Sequence, residues 1–129
     1  MTSNTPALPR VLYVEDDAHL RFPISEILKL MGYDVATADN GKLGVEKAES
    51  WQPDFILMDL RMPVMDGREA IRVLRRKPET KDIPIYVLSA YTDTTTRVSC
   101  KEAGADGFFA KPPDVNQIDA VIKRTLGLE

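Results

Sequence analysis

An α/β fold built on a doubly wound, five-stranded parallel sheet with five helices is predicted by three observations. Apolar runs at 11 to 14 (VLYV), 55 to 58 (FILM), 85 to 88 (IYVL) and 107 to 110 (GFFA) are rich in β-branched, aromatic and long apolar residues, the pattern of strands buried on both faces. Segments with helical periodicity alternate with these runs. The links between them are short, which favours parallel strands joined by crossover helices on both faces of one sheet.

The elements follow in order. A flexible tail is expected over 1 to 8, followed by the domain over 9 to 129. A strand over 10 to 15 leads into a helix over about 17 to 31, where Leu20, Ile24, Ile27, Leu28 and Met31 keep the helical period and Gly32 ends it. Pro23 falls past the first turn of this helix, removing a backbone donor, so a local kink is expected. A strand over 33 to 38 precedes a helix over 41 to 50 capped by Asp39 or Asn40, and Pro53 begins the third strand. Asp66-Gly67 opens a helix to Arg76, and the turn-rich KPETKDIP leads to a strand over 83 to 88. A helix over 92 to 103 ends at Gly104. The last strand spans 107 to 110, and a final helix over 114 to 126 turns Val115, Ile118, Val121, Ile122 and Leu126 to the sheet.

Composition narrows the function. The 129 residues, 43% hydrophobic, are the size of one domain with one core. Seventeen Lys and Arg against 20 Asp and Glu give a net charge of −3, which offers no basic field for nucleic acid or an acidic membrane. Cys100 is the only cysteine, so no intramolecular disulfide forms, and a reducing cytoplasm is the expected compartment. No run approaches the ~18 apolar residues of a membrane span.

Four islands stand at the carboxyl ends of the apolar runs: Glu15-Asp16-Asp17, Asp59, Ser89 and Lys111. A doubly wound sheet gathers these ends on one edge, so they form one acidic cleft with one ammonium group. Crowded carboxylates require a cation or a retained proton. Magnesium, which takes few protein carboxylates and keeps several waters, leaves room for a phosphoryl oxygen. Asp59 then serves as a carboxylate nucleophile toward phosphorus, with Ser89 and Lys111 directed to the phosphoryl oxygens. Each island has a plainer reading when taken alone. Asp17 is a helix cap, Ser89-Ala90 a turn, Lys111 a surface residue before proline, and Arg72, Arg75, Arg76 and Lys77 a solvated face. His19 is expected at the surface and Cys100 in packing.

VLYVEDD at 11 to 17, PDFILMDLRMPVMDG at 53 to 67, IPIYVLSA at 83 to 90 and AGADGFFAKP at 103 to 112 together resemble a receiver domain of two-component response regulators, of the single-domain chemotaxis type. The resemblance covers nearly the whole chain from residue 10. It implies a flavodoxin-like strand order 2-1-3-4-5. It also implies that Asp59 is the phosphoacceptor, and that magnesium is held by Asp16, Asp59 and the backbone carbonyl of Arg61, with Glu15 acting through water. Ser89 and Lys111 would meet the phosphoryl group, Phe108 would be an aromatic switch coupled to Ser89, and Lys111-Pro112 would be a cis bond. The implied partners are a sensor histidine kinase or histidine phosphotransfer protein, then a downstream protein bound at the face formed by the fourth helix, fifth strand and fifth helix, with a phosphorylation-dependent dimer as one form of output. No direct contact with nucleic acid or membrane is expected.

Glu15 stands where aspartate is commoner and Phe108 where tyrosine is commoner, while Arg61 and Tyr91 flank the cleft. The reading is a stand-alone phosphoacceptor that catalyses only its own phosphorylation and dephosphorylation, with no output domain of its own. An unphosphorylated scaffold is the alternative, opposed by intact Asp59, Ser89 and Lys111. An aspartate-based phosphohydrolase is disfavoured because Arg61 occupies the position where such enzymes carry a second acid. A nucleotide or flavin binder lacks its Gly-rich phosphate loop.

Overall fold

The computed structural model describes residues 7–128. Most of the tail expected over 1 to 8 lies outside the described residues. Five strands, β1 (Arg10–Val14), β2 (Asp34–Ala38), β3 (Phe55–Asp59), β4 (Ile85–Ser89) and β5 (Gly107–Ala110), alternate with five helices, α1 (Ala18–Leu30), α2 (Gly41–Trp51), α3 (Gly67–Arg76), α4 (Thr94–Ala103) and α5 (Val115–Leu126). The strands form one parallel sheet in the order β2-β1-β3-β4-β5, as expected.

Alternation along the strands divides the core into two layers. Leu12, Val14, Ile56, Met58, Ile85 and Val87 pack beneath Val45 and Ala48 of α2, Ile71 and Leu74 of α3, and Cys100 of α4. Val11, Tyr13, Phe55, Leu57, Leu88 and Phe109 face Ile24 and Leu28 of α1 and Ile118, Val121 and Ile122 of α5. Each fully enclosed Leu or Ile contributes roughly 1.5–3 kcal/mol relative to an exposed one. Removing one from either layer would therefore cost a large share of the stability of a domain this size.

The strands and helices start later than expected where proline or a cap intervenes. Pro84 has no N–H and stands just before β4, its carbonyl accepting from Ile56 N at 2.9 Å. Asp17, Asn40, Asp66, Asp93 and Asp114 stand outside their helices as N-caps, each accepting a backbone N–H of the first turn. Asn40, not Asp39, caps α2, through Leu43 N at 2.9 Å. α1 runs unbroken through Pro23, and Ser25 Oγ donates to the Phe22 carbonyl at 2.9 Å beside it. Ile27, counted by period with the apolar face, sits at its solvent margin, and Leu30 is exposed.

Arg75 departs from its plainer reading. Instead of lying on a solvated face, it donates to the carbonyls of Gly104, Lys81 and Ile83 and pairs with Asp106 at 2.9 Å, tying the end of α3 to the entries of β4 and β5. His19 is exposed and Cys100 buried, as expected.

Candidate functional site

Strand register gathers the four islands. Val14 pairs with Met58, so Glu15, one residue on, stands beside Asp59. Asp59 in turn pairs with Leu88, and Ser89 pairs with Ala110, which puts Lys111 next. Lys111 N donates to the Ser89 carbonyl at 2.9 Å, closing the edge. The result is a cleft of about 270 Å³ lined by Glu15, Asp16, Asp17, Asp59, Arg61, Ser89, Ala90, Tyr91 and Lys111. All the residues singled out at strand ends meet there. Phe108 does not line the cleft; it is half-buried against the core layer that α2, α3 and α4 cover, with the Arg97 guanidinium 5.0 Å from its ring centre.

Lys111 is the hub of the charges. Its Nζ lies 2.9 Å from Asp59 Oδ1 and 3.0 Å from Glu15 Oε1. Glu15 is fully buried and Asp59 nearly so, whereas Asp16 is exposed at the mouth. Burial, followed by the neighbouring Glu15 carboxylate, pushes the Asp59 carboxyl up to about 7. Burial also acts to raise Glu15, but its hydrogen bonds to Asp59 and Lys111 and the lysine charge outweigh that and leave it below the usual carboxylate range. Of the two acids, Asp59 is therefore the one that takes up a proton more readily. Burial works against the Lys111 charge, yet Asp59 and Glu15 hold the ammonium above its ordinary value. Ser89, also buried, accepts at Oγ from Tyr91 N at 3.0 Å.

Three devices hold the loops that carry these groups. Arg21 of α1 donates from Nη1 to the carbonyls of Glu15 at 2.7 Å and Asp16 at 3.3 Å, pinning the turn after β1. Gly67 lets α3 start against the end of β3: a Cβ there would stand 2.3 Å from the Asp59 carbonyl oxygen, and Gly67 N donates to the Leu60 carbonyl at 2.8 Å. Tyr13, buried in β1, donates its hydroxyl to Glu15 Oε1 at 3.2 Å. Reasoning from sequence passed over both Arg21 and Tyr13. The signal for Tyr13 was present, since a tyrosine two residues before Glu15 on a strand shares its face and carries the one polar tip in VLYV.

The donor set suits a hard divalent cation. Glu15, Asp16 and Asp59 each offer a carboxylate oxygen, and these atoms lie within 4.8 Å of one another. Such an ion would offset the like-charge repulsion that raises the Asp59 carboxyl. Receiver domains bind magnesium at an acidic site of this kind.

Comparison with known proteins agrees with this geometry. The family model described as the response regulator receiver domain matches residues 11–123. The chain is 38% identical over 118 residues to the transcriptional regulatory protein PrrA of Mycobacterium tuberculosis, covering 92% of this chain and 50% of that protein. It is 35% identical over 119 residues to the DNA-binding dual master transcriptional regulator RpaA of Synechocystis, covering 92% and 49%. It therefore spans about half the length of these relatives. Among solved structures, the chemotaxis protein CheY4 of Vibrio cholerae superimposes with a TM-score of 0.86 at 32% identity, covering 92% of this chain and 98% of that one. The receiver domain of a Pseudomonas aeruginosa sensor histidine kinase, which holds magnesium in its active site cleft, gives 0.87 at 33% identity, covering 94% and 99%. Among the described residues no helix is long and apolar enough to cross a membrane. From β1 into α5, in sequence and in strand order alike, the chain belongs to the response regulator receiver domains, the phosphoacceptor signalling modules of two-component systems.

Proposed function

We propose that Asp59 is the phosphoacceptor and that its donor is a phosphohistidine on a sensor histidine kinase or a histidine phosphotransfer protein. An Asp59 carboxylate oxygen forms the new bond to phosphorus while the P–N bond to the donor imidazole breaks. The imidazole leaves with the electron pair and takes up a proton. The observation that carries this reading is the Asp59 carboxylate at the floor of the cleft, 2.9 Å from the Lys111 ammonium, which stands ready for a phosphoryl oxygen. Magnesium would be held by Asp16, Asp59 and the Arg61 carbonyl, with Glu15 acting through water, and when bound it neutralises charge on the phosphoryl oxygens.

Transmission follows from the added charge. A phosphoryl oxygen on Asp59 offers the Ser89 hydroxyl a stronger acceptor than its present surroundings, and the link after β4 moves with it. Phe108, on the strand beside Ser89, then changes its packing, and the face made by α4, β5 and α5 changes its affinity for a downstream protein or a second copy of the chain. Output by altered partner binding fits a signalling domain rather than a turnover enzyme. The reaction is assigned to the cytoplasm, where kinases charged by ATP act.

The test is labelling. A small phosphodonor or a phosphorylated kinase, with magnesium, is expected to label wild-type protein with an adduct labile to base, and Asp59→Ala to abolish it. An acid-stable adduct, or label retained in Asp59→Ala, would move the nucleophile elsewhere. A wild type that never labels would favour an unphosphorylated scaffold.

A further inference from the structure

Tyr13 is wholly enclosed on the side of the sheet covered by α1 and α5, and a buried phenol needs an acceptor for its O–H. It finds one in Glu15 Oε1, 3.2 Å away, because residues two apart on a strand share a face. Glu15 is just as enclosed, and three protein groups approach its carboxylate as donors. They are the Tyr13 hydroxyl and Lys111 Nζ, both on Oε1, and the Asp17 amide, 3.4 Å from Oε2. Lys111 is shared, since its Nζ also meets Asp59 Oδ1 at 2.9 Å.

That sharing creates a difficulty when a phosphoryl group arrives on Asp59. As the ammonium turns toward phosphoryl oxygens, Glu15 gives up its one direct cationic side-chain partner and is left with a link to magnesium only through water. A buried carboxylate is tolerated there only if other donors stay with it. The hydroxyl of Tyr13 and the amide of Asp17 are the two that do not have to move.

We propose that Tyr13 is a positioning residue of the phosphorylation site: its hydroxyl holds the Glu15 carboxylate in place and remains its donor while Lys111 is redirected to the incoming phosphoryl group. The inference rests on the reading of Asp59 as phosphoacceptor. With acetyl phosphate as donor, an Asp59 oxygen bonds to phosphorus, the bond from phosphorus to the acetyl oxygen breaks, and acetate leaves with the electron pair. Tyr13 touches neither donor nor leaving group. It acts through Glu15 on the freedom of Lys111.

The experiment is a double-mutant cycle of Tyr13→Phe with Glu15→Gln, each protein first shown to be folded by thermal melting. Acetyl phosphate and magnesium supply the reaction. The amide shift of Asp17 and the side-chain Nζ shift of Lys111, recorded by NMR without donor or metal, supply a second readout. Tyr13→Phe is expected to slow labelling of Asp59 about tenfold and to shift both resonances. In the Glu15→Gln background, where no buried anion needs the hydroxyl, the same change is expected to slow labelling less than about twofold and to leave the Lys111 resonance in place. Equal slowing in both backgrounds, or none in either, would overturn the proposal. If wild type never labels, the phosphoacceptor reading fails and the role of Tyr13 in phosphorylation fails with it, whereas the two resonances still decide whether Tyr13 holds Glu15.

Discussion

The Arg61 guanidinium lies 4.0 Å from the centre of the Tyr91 ring, so the links after β3 and β4 meet across the mouth of the acidic cleft. A planar cation stacked on an aromatic face at an exposed site is worth about 0.5–1 kcal/mol, enough to keep the pair closed much of the time. An acyl phosphate on Asp59 would lie beneath it, partly screened from water. Arg61→Ala and Tyr91→Ala are each expected to shorten the lifetime of phosphorylated Asp59 by roughly twofold to fivefold. The double variant should add little beyond either change, because one contact is lost in all three proteins. Loss of label with time measures this; an unchanged or longer lifetime would remove the pair from any protective role.

The raised Asp59 carboxyl makes metal-free stability depend on pH. Asp59 titrates at about 7 in the folded chain against 3.8 for an unperturbed aspartate, so between those values the folded state binds more protons than the unfolded one. Its stabilising contribution is complete below the unfolded value and is lost as pH rises through 7. Asp59→Asn removes this dependence. The variant is therefore expected to gain on wild type from pH 5 to pH 8, by on the order of 1 kcal/mol, in urea melts with chelator present. A gap that stays constant or narrows would show that Asp59 is already ionised at pH 5.

Close approach at Gly67 gives a prediction about backbone. A Cβ would stand 2.3 Å from the Asp59 carbonyl oxygen and 3.0 Å from Leu60 Cα, neither of which is a flexible side-chain end. Gly67→Ala is expected to destabilise the fold by about 2–4 kcal/mol and to displace the start of α3 from Asp59. Thermal melts and the rate of Asp59 labelling measure the two effects. A variant as stable as wild type would mean that the loop before α3 yields freely.

Magnesium binding is expected to depend on Asp16, the exposed carboxylate of the cluster. Asp16→Ala should weaken it at least about tenfold, since a ligand to a hard ion is lost. Titration by calorimetry or NMR is the suitable assay. Trp51 makes a poor reporter: its carbonyl accepts from the Arg10 side chain at the start of β1, on the edge of the sheet opposite the cleft. An equal magnesium response in Asp16→Ala would exclude Asp16 as a ligand.

Ser89 and Lys111 should separate chemistry from transmission. Ser89→Ala is expected to leave labelling of Asp59 within a few fold of wild type but to reduce the amide-shift response of residues 91 to 111 to a phosphoryl mimic. Lys111→Ala should impair both, because the ammonium is the cation already seated 2.9 Å from Asp59. A full response in Ser89→Ala would show that its hydroxyl is not the relay.

Much of this architecture was legible in the linear chain because the signals are local or periodic. Apolar runs, helical spacing and cap residues such as Asp17 and Asp66 act over a few residues, so the element order and the doubly wound sheet follow from them. Boundaries were less secure where a side chain decides between cap and first turn. Asp93 and Asp114 each fall just outside a helix that was expected to include them.

Sequence alone determined which residues stand at the strand ends, since Glu15, Asp59, Ser89 and Lys111 each follow an apolar run directly. What only the tertiary structure decided is how they bond to one another and to the groups around them. The Lys111 bridge between Glu15 and Asp59, the Tyr13 hydroxyl on Glu15, the Arg61 stack on Tyr91 and the four bonds of Arg75 depend on rotamers and burial. A charged side chain in a sequence has the same description whether it ends in water or in the core. Desolvation, which raises Asp59 and gives Arg75 backbone carbonyls in place of solvent, exists only once the strands are paired and the helices packed against them.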